Sequence, residues 1–119
     1  ALLHDKPLQV FGEGKMQRDF TYVDDIADGI IASVDKNYEE EVFNLGCGRQ
    51  EELMEYIKMV EESVGKEAKK DFLPMQPGDV VASLADISKA QKMLGYEPKT
   101  TIREGVPKSV KWYREYYGL

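Results

Sequence analysis

The stretch Leu8–Ile30, LQVFGEGKMQRDFTYVDDIADGI, restricts the fold more than any other, because its apolar period changes along its length. Leu8–Phe11 reads as a short strand, Gly12 and Gly14 punctuate a turn, and Arg18–Val23 is extended. From Asp25 a helical period takes over, with Ile26, Ile30, Ile31 and Val34 on one face and an end near Lys36 and Asn37. Asp24 stands where a helix N-cap belongs, since a short carboxylate can accept the orphan N–H groups of a first turn. Strand followed by helix points to an α/β chain. Arg18 admits two readings. It is either one surface arginine on a plain β-hairpin, or a guanidinium that reaches an anionic ligand across the turn, since its fork matches phosphate and carboxylate geometry.

Further elements follow in order. Glu41–Leu45 is a strand candidate with Gly46 and Gly48 directly after it. A helix is expected from Glu51 to about Val64, with Leu53, Ile57, Val60 and Val64 inward, Glu51 and Glu52 in its first turn and Gly65 just past its end. Met54 and Met59 read as core filler. Glu39–Glu41 and the cluster Lys66, Lys69, Lys70 read as solvated loops. Asp71–Met75 is short and extended. Gln76-Pro77-Gly78-Asp79 is turn chemistry, and Val80–Leu84 is another short strand. Asp86 is placed to cap a helix that turns Ile87, Ala90 and Leu94 inward and closes at Gly95. Thr101 and Glu104 form a capping box for the last helix, whose face is Val110, Tyr113 and Tyr117 with Trp112 beside them. Pro107 would cost about 3 kcal/mol inside it, so that helix either starts near Val106 or kinks.

The totals exclude several functions. The 119 residues suffice for one domain, 1–119, with a modest core. No apolar run approaches the roughly 20 residues that cross a bilayer. A net charge of −6 without a basic stripe argues against nucleic acid and acidic membranes as partners. The single cysteine, Cys47, excludes an internal disulfide framework and fits a reducing cytoplasm. With only His4, neither a catalytic triad nor a histidine metal site can be assembled. GEGK at Gly12–Lys15 has neither Walker nor GxGxxG spacing.

GKMQRDFTYVDDIADGI resembles the C-terminal half of the NAD-dependent epimerase/dehydratase family, the extended short-chain dehydrogenase/reductases. The resemblance continues through FNLGCG, LPMQPGDV, ADISKAQKMLGYEPKT and EGVPKSVKWYREYYG, and so covers nearly the whole chain. MQPGDV, with Gln76 before the proline, is most similar to the UDP-glucuronate 4-epimerase branch. The fold this implies is the C-terminal portion of a Rossmann-type nucleotide-sugar epimerase: short strands with about four helices, without the N-terminal dinucleotide-binding domain. The chain opens ALLHDK with no initiator methionine, and Ala1–Leu3 looks like the last turn of a helix, so a piece of a longer enzyme is expected.

The resemblance also implies roles. The parent would oxidise C4 of a UDP-sugar with tightly held NAD, let the ketone rotate and return hydride to the other face. A dehydratase, a decarboxylase or a UDP-glucose 4-epimerase would keep the same fold. A non-catalytic α/β interaction module is the reading from another class. Family catalysis uses a Tyr-x-x-x-Lys pair, and no tyrosine here has lysine at i+4, so no catalytic residue and no NAD binding are expected of this chain alone. UDP-sugar contacts are implied for Gln9 and Phe11 (uracil), Arg18 (diphosphate), Gln76, and Asp79 (ribose hydroxyls or a nearby arginine). Many relatives carry arginine at Gln76 and tyrosine at Phe20, which here removes one cation and one hydroxyl. The parent is expected to dimerise through helices upstream, leaving this chain monomeric or weakly self-associating. The helix at Asp25–Lys36 and the strand at Glu41–Leu45 would normally lie on a sheet, so an exposed apolar face is expected.

Overall fold

The computed structural model describes residues 1–119. Its organising contact is a parallel pair, β1 (Leu8–Phe11) on β4 (Lys70–Leu73), in register from Leu8↔Lys70 to Phe11↔Leu73. Parallel neighbours need a long crossover. Here it comprises a 3₁₀ turn (Gly12–Gly14), β2 (Gln17–Arg18), α1 (Val23–Lys36), β3 (Glu51–Glu52) and α2 (Leu53–Val64). β2 and β3 pair antiparallel as a second two-stranded sheet. After β4 come α3 (Ser88–Leu94) and α4 (Ile102–Tyr117). Four helices with short strands match the expected α/β class.

Two small cores result. α2 packs on α4, burying Ile57, Met59 and Val106, and Val10 of β1 is wholly enclosed. α1 packs on α3, where Ile87, Ala90, Leu94 and Tyr96 cluster against Ala32, Phe43, Leu45 and Ala85. Gly29 lets α1 approach this cluster, since a methyl there would stand 2.7 Å from Leu45. The chain is nonetheless open. Its radius of gyration is 16.6 Å, against about 13–14 Å for a compact domain of this length. Ile30, Ile31 and Val34 of α1 lie exposed, Val34 by 70%, as expected for a helix face without its sheet.

Several expectations need correction. α1 begins at Val23 after an extended Tyr22, and Asp24 caps nothing, because the chain enters the helix two residues earlier than its apolar period suggests. Glu41–Leu45 forms no strand, for want of a neighbour offering backbone groups. Side chains fasten it instead: Glu41 to Lys89 at 2.5 Å, Asn44 Nδ2 to the Asp86 carbonyl at 3.3 Å. Glu51 and Glu52 are not the first turn of α2 but the strand paired with β2. Val80–Leu84 contributes only a bridge, Gln17↔Ala82. Tyr117 is exposed, and the inward face of α4 runs through Gly105, Val106, Val110 and Tyr113. α4 continues through Pro107, starting at Ile102.

Other local signals hold. Gly65, Gly95 and Gly118 close α2, α3 and α4 in the left-handed conformation. The Glu104 carboxylate turns back to the Thr101 N–H at 3.0 Å. Asp86 does not cap α3: the N-cap position falls on Ile87, and the Asp86 carboxylate accepts the Ser88 N–H at 3.0 Å from one residue further back. Of the lysine cluster Lys66 and Lys69 are exposed, Lys66 pairing with Asp5 at the surface, whereas half-buried Lys70 pairs with Glu61.

The Glu61 pair joins the last turn of α2 to β4. Its carboxylate accepts the Lys70 ammonium and the Ala68 N–H (2.7 Å), and these hold its pKa below the ordinary 4.5, the lysine first. A depressed carboxyl stabilises the fold above its unfolded pKa and loses that contribution as pH falls through the folded value. Glu61→Gln is therefore expected to cost about 2 kcal/mol at pH 7 by urea unfolding. The gap to the unsubstituted chain should close as the pH drops below 4.5. A gap constant with pH would refute the assignment.

Candidate functional site

In open α/β sheets ligands gather beyond the carboxyl ends of parallel strands. Here those ends are Phe11 and Leu73. Phe11 leads into Gly12 and Gly14, both at positive φ, which turn the chain back within a few residues. Leu73 leads into Gln76–Asp79, closed by the Asp79 N–H on the Gln76 carbonyl at 3.1 Å with Gly78 at φ 90°. Gln76 and Asp79 are exposed on this turn, and Phe11 is half-buried.

Arg18 on β2 is brought to the same edge. The Gln17 N–H donates to the Val81 carbonyl at 2.9 Å and the Ser83 N–H to the Gln17 carbonyl at 3.1 Å, so β2 runs alongside the segment that follows Asp79. The Arg18 Nη1 group donates to the carbonyls of Gln17 (2.8 Å) and Val81 (3.2 Å), and Nη2 touches Met16 Sδ at 3.5 Å. Met16 in turn lies under Gly12, where a methyl would meet its Cγ at 3.0 Å. A guanidinium carries five N–H donors. Three are used, the Nε–H and one Nη2–H have no protein acceptor, and Arg18 joins none of the chain's ion pairs. The result is a half-buried, oriented cation whose charge is uncompensated.

Gln9 lies two residues before Phe11 on β1 and is exposed. It borders an apolar cavity of about 430 Å³ lined by Leu2, Leu8, Tyr56, Val60, Val110 and Tyr113, among others. Phe11, Arg18, Gln76 and Asp79 thus lie toward one end of the molecule, and none of them lines this apolar cavity. Phe20 stacks on Tyr56 at 4.2 Å between ring centroids.

Three residues that the sequence reading passed over fasten distant loops: Asp19 and Tyr96 those beside β2, Asp25 the entry of α4. The Asp19 carboxylate accepts N–H groups from Cys47 (2.7 Å), Gly48 (2.9 Å) and Ala85 (3.3 Å). Buried Asp25 accepts those of Lys99 (3.1 Å) and Thr100 (3.0 Å). The buried Tyr96 hydroxyl donates to the Gly46 carbonyl at 2.9 Å. No local signal marks the three, because each one's partners lie far along the chain. Cys47 is buried, with its sulfur 3.3 Å from Arg49 Nη2.

Comparison with known proteins identifies the family. Residues 1–109 match the family model described as GDP-mannose 4,6 dehydratase. The chain is similar to UDP-glucuronate 4-epimerase of Thermodesulfobacterium geofontis, 43% identical over 96% of the chain and 35% of that protein. It is 35% identical to UDP-glucuronic acid decarboxylase 4 of Arabidopsis thaliana, over 95% of the chain and 25% of the relative. Among solved structures, UDP-glucuronic acid 4-epimerase from Bacillus cereus, in complex with UDP-glucuronic acid and NAD, superposes with a TM-score of 0.86. That match has 37% identity and covers 97% of this chain and 37% of that one. The chain therefore spans between a quarter and two-fifths of the length of these proteins.

Tyr96 makes the scaffold of this end testable. Burial, then the nearby Asp25 carboxylate, pushes its hydroxyl up from 10.0 to about 12. The neutral form is thus favoured in the fold, and its stabilisation is complete below the unfolded pKa and declines from pH 10.0 to about 12. Tyr96→Phe is expected to cost about 1 kcal/mol at neutral pH. The variant should also lose less stability than the parent chain across that alkaline window, read by urea unfolding. Parallel declines would rule the role out.

Proposed function

Because the chain belongs to the GDP-mannose 4,6 dehydratase family, by a match over residues 1–109, we propose that it is the nucleotide-sugar-binding part of an NAD-dependent 4-epimerase acting on UDP-glucuronate and UDP-galacturonate. The observation that carries this is Arg18: an oriented, unneutralised guanidinium with two free donors, beside the turn Gln76–Asp79 and beyond the ends of β1 and β4. That arrangement suits a diphosphate, with the Phe11 ring for the base, the Asp79 carboxylate as acceptor for ribose hydroxyls and the Gln76 amide as a neutral phosphate donor. Gln9 would act through its main chain. Similarity to epimerases whose names specify UDP-glucuronate supports the choice of sugar.

The residues present do not build an NAD site. The glycines after β1 lead into β2, not into a helix N-terminus that could cradle a pyrophosphate, and no Tyr-x-x-x-Lys pair exists. Within this reading the chain binds and orients the nucleotide, while hydride transfer at C4 belongs to the rest of the parent enzyme. A decarboxylase of the same fold is the second reading, favoured by the 35% identity to the Arabidopsis enzyme. The single buried thiol of Cys47 supports a cytoplasmic setting.

NMR titration of the chain with UDP tests the proposal. Shifts are expected at Phe11, Arg18 and Asp79. Arg18→Ala should weaken binding about ten- to a hundredfold, the equivalent of one charge-assisted contact. Millimolar UDP without shifts, or equal affinity in Arg18→Ala, would instead favour the non-catalytic interaction module.

A further inference from the structure

We propose that Asp19 is a positioning residue for nucleotide recognition: its carboxylate fixes the register between β2 and the segment after Asp79, and so sets where the Arg18 guanidinium stands. This rests on the nucleotide-sugar reading above. The argument starts from the backbone. Gln17 makes the two hydrogen bonds of a parallel ladder with Val81 and Ser83. The next step of that ladder would take the Ala85 N–H on the carbonyl of residue 19. Instead the Asp19 side chain takes it, Oδ2 accepting the Ala85 N–H at 3.3 Å. The carboxylate prolongs the pairing where the main chains part.

The same group has a second hold. Oδ1 accepts the Cys47 N–H at 2.7 Å and Oδ2 the Gly48 N–H at 2.9 Å, while the Thr21 hydroxyl reaches Oδ1 at 3.3 Å. The loop it grips is fixed from its other side by Tyr96 on the Gly46 carbonyl. Gly46 shows how close the fit is: a methyl there would stand 2.6 Å from Ala85 Cβ and 2.9 Å from Asp19 Oδ2. Arg18 is thus bracketed in sequence by a ladder residue and a clamp residue. Its own Nη1 bond to the Val81 carbonyl can form only while both hold, because a one-residue slip of an extended segment turns its side chains to the opposite face.

Asp19→Asn keeps the shape but sets an amide N–H₂ against one of the backbone N–H donors. The control is Asp25→Asn, which disturbs an equivalent carboxylate clamp, on Lys99 and Thr100, without touching β2. UDP affinity is measured by calorimetry for the chain, the two variants and Arg18→Ala, with thermal unfolding alongside. Asp19→Asn is expected to weaken UDP about tenfold or more, and Asp25→Asn to leave it within about twofold while lowering the melting temperature comparably. A merely structural role would weaken both alike, and that result, or unchanged affinity in Asp19→Asn, overturns the proposal. If Asp19→Asn does not fold, Gly46→Ala decides. It spreads the clamp while leaving the carboxylate charged, and unaltered UDP affinity in that folded variant likewise overturns the assignment. An effect of Arg18→Ala without one of Asp19→Asn would sink the positioning role and spare the binding reading. No effect of either sinks both.

Discussion

Asp25, buried in the first turn of α1, and Asp19, just past β2, each receive backbone N–H groups from segments far along the chain. Much else in the fold follows from those two carboxylates. Loop amides at Cys47, Gly48, Ala85, Lys99 and Thr100 have no strand partner, and buried N–H groups left unpaired cost about 1–3 kcal/mol each. A carboxylate can accept several at once, and ionised acceptors make the stronger hydrogen bonds. Two side chains therefore organise turns that in a larger sheet would be organised by neighbouring strands.

That economy explains why so open a chain has definite loops. Only 15 of 119 residues are buried, and two separate cores share the work. Ile30, Ile31 and Val34 form an apolar stripe on α1, and Val42 stands clear of the segment that failed to become a strand. Stripes of this kind mark surfaces made for contact. The polar clamps do not depend on that contact. They join α1 to the entry of α4, and β2 to the approach to α3, whatever lies against the apolar stripe.

Residues whose role is local were legible in the sequence. β1, the Gly12–Gly14 turn, the α2 face, the Gly65 and Gly95 caps and the Thr101–Glu104 box each follow from a few neighbouring side chains. Reading failed where the outcome depends on a distant partner. Glu41–Leu45 has strand composition but no strand to pair with, whereas Glu51–Glu52, an acidic pair before a helical period, becomes one because β2 lies opposite. Asp24 and Asp25 are adjacent and look alike as caps. Only the second meets Lys99 and Thr100, and nothing local distinguishes them. The same holds at the candidate site. Arg18 stood out as a lone cation after a turn, but Asp19 beside it could be valued only once residues 46–48 and 85 were known to be near.

The way Arg18 is held bears on what such a site can do. Carbonyl oxygens orient a guanidinium without cancelling its charge, whereas a carboxylate partner would do both. An anion arriving at Arg18 therefore finds an already placed cation, and little side-chain entropy remains to be lost on binding. Fixed groups of this kind grip the unreactive portion of a substrate equally in ground and transition states. Such uniform binding positions the substrate but does not by itself speed the chemical step. An oriented cation beside turn-borne polar groups is suited to that positioning role. How well it can fill that role depends on how rigidly the edge is built, and so on the backbone clamps around β2.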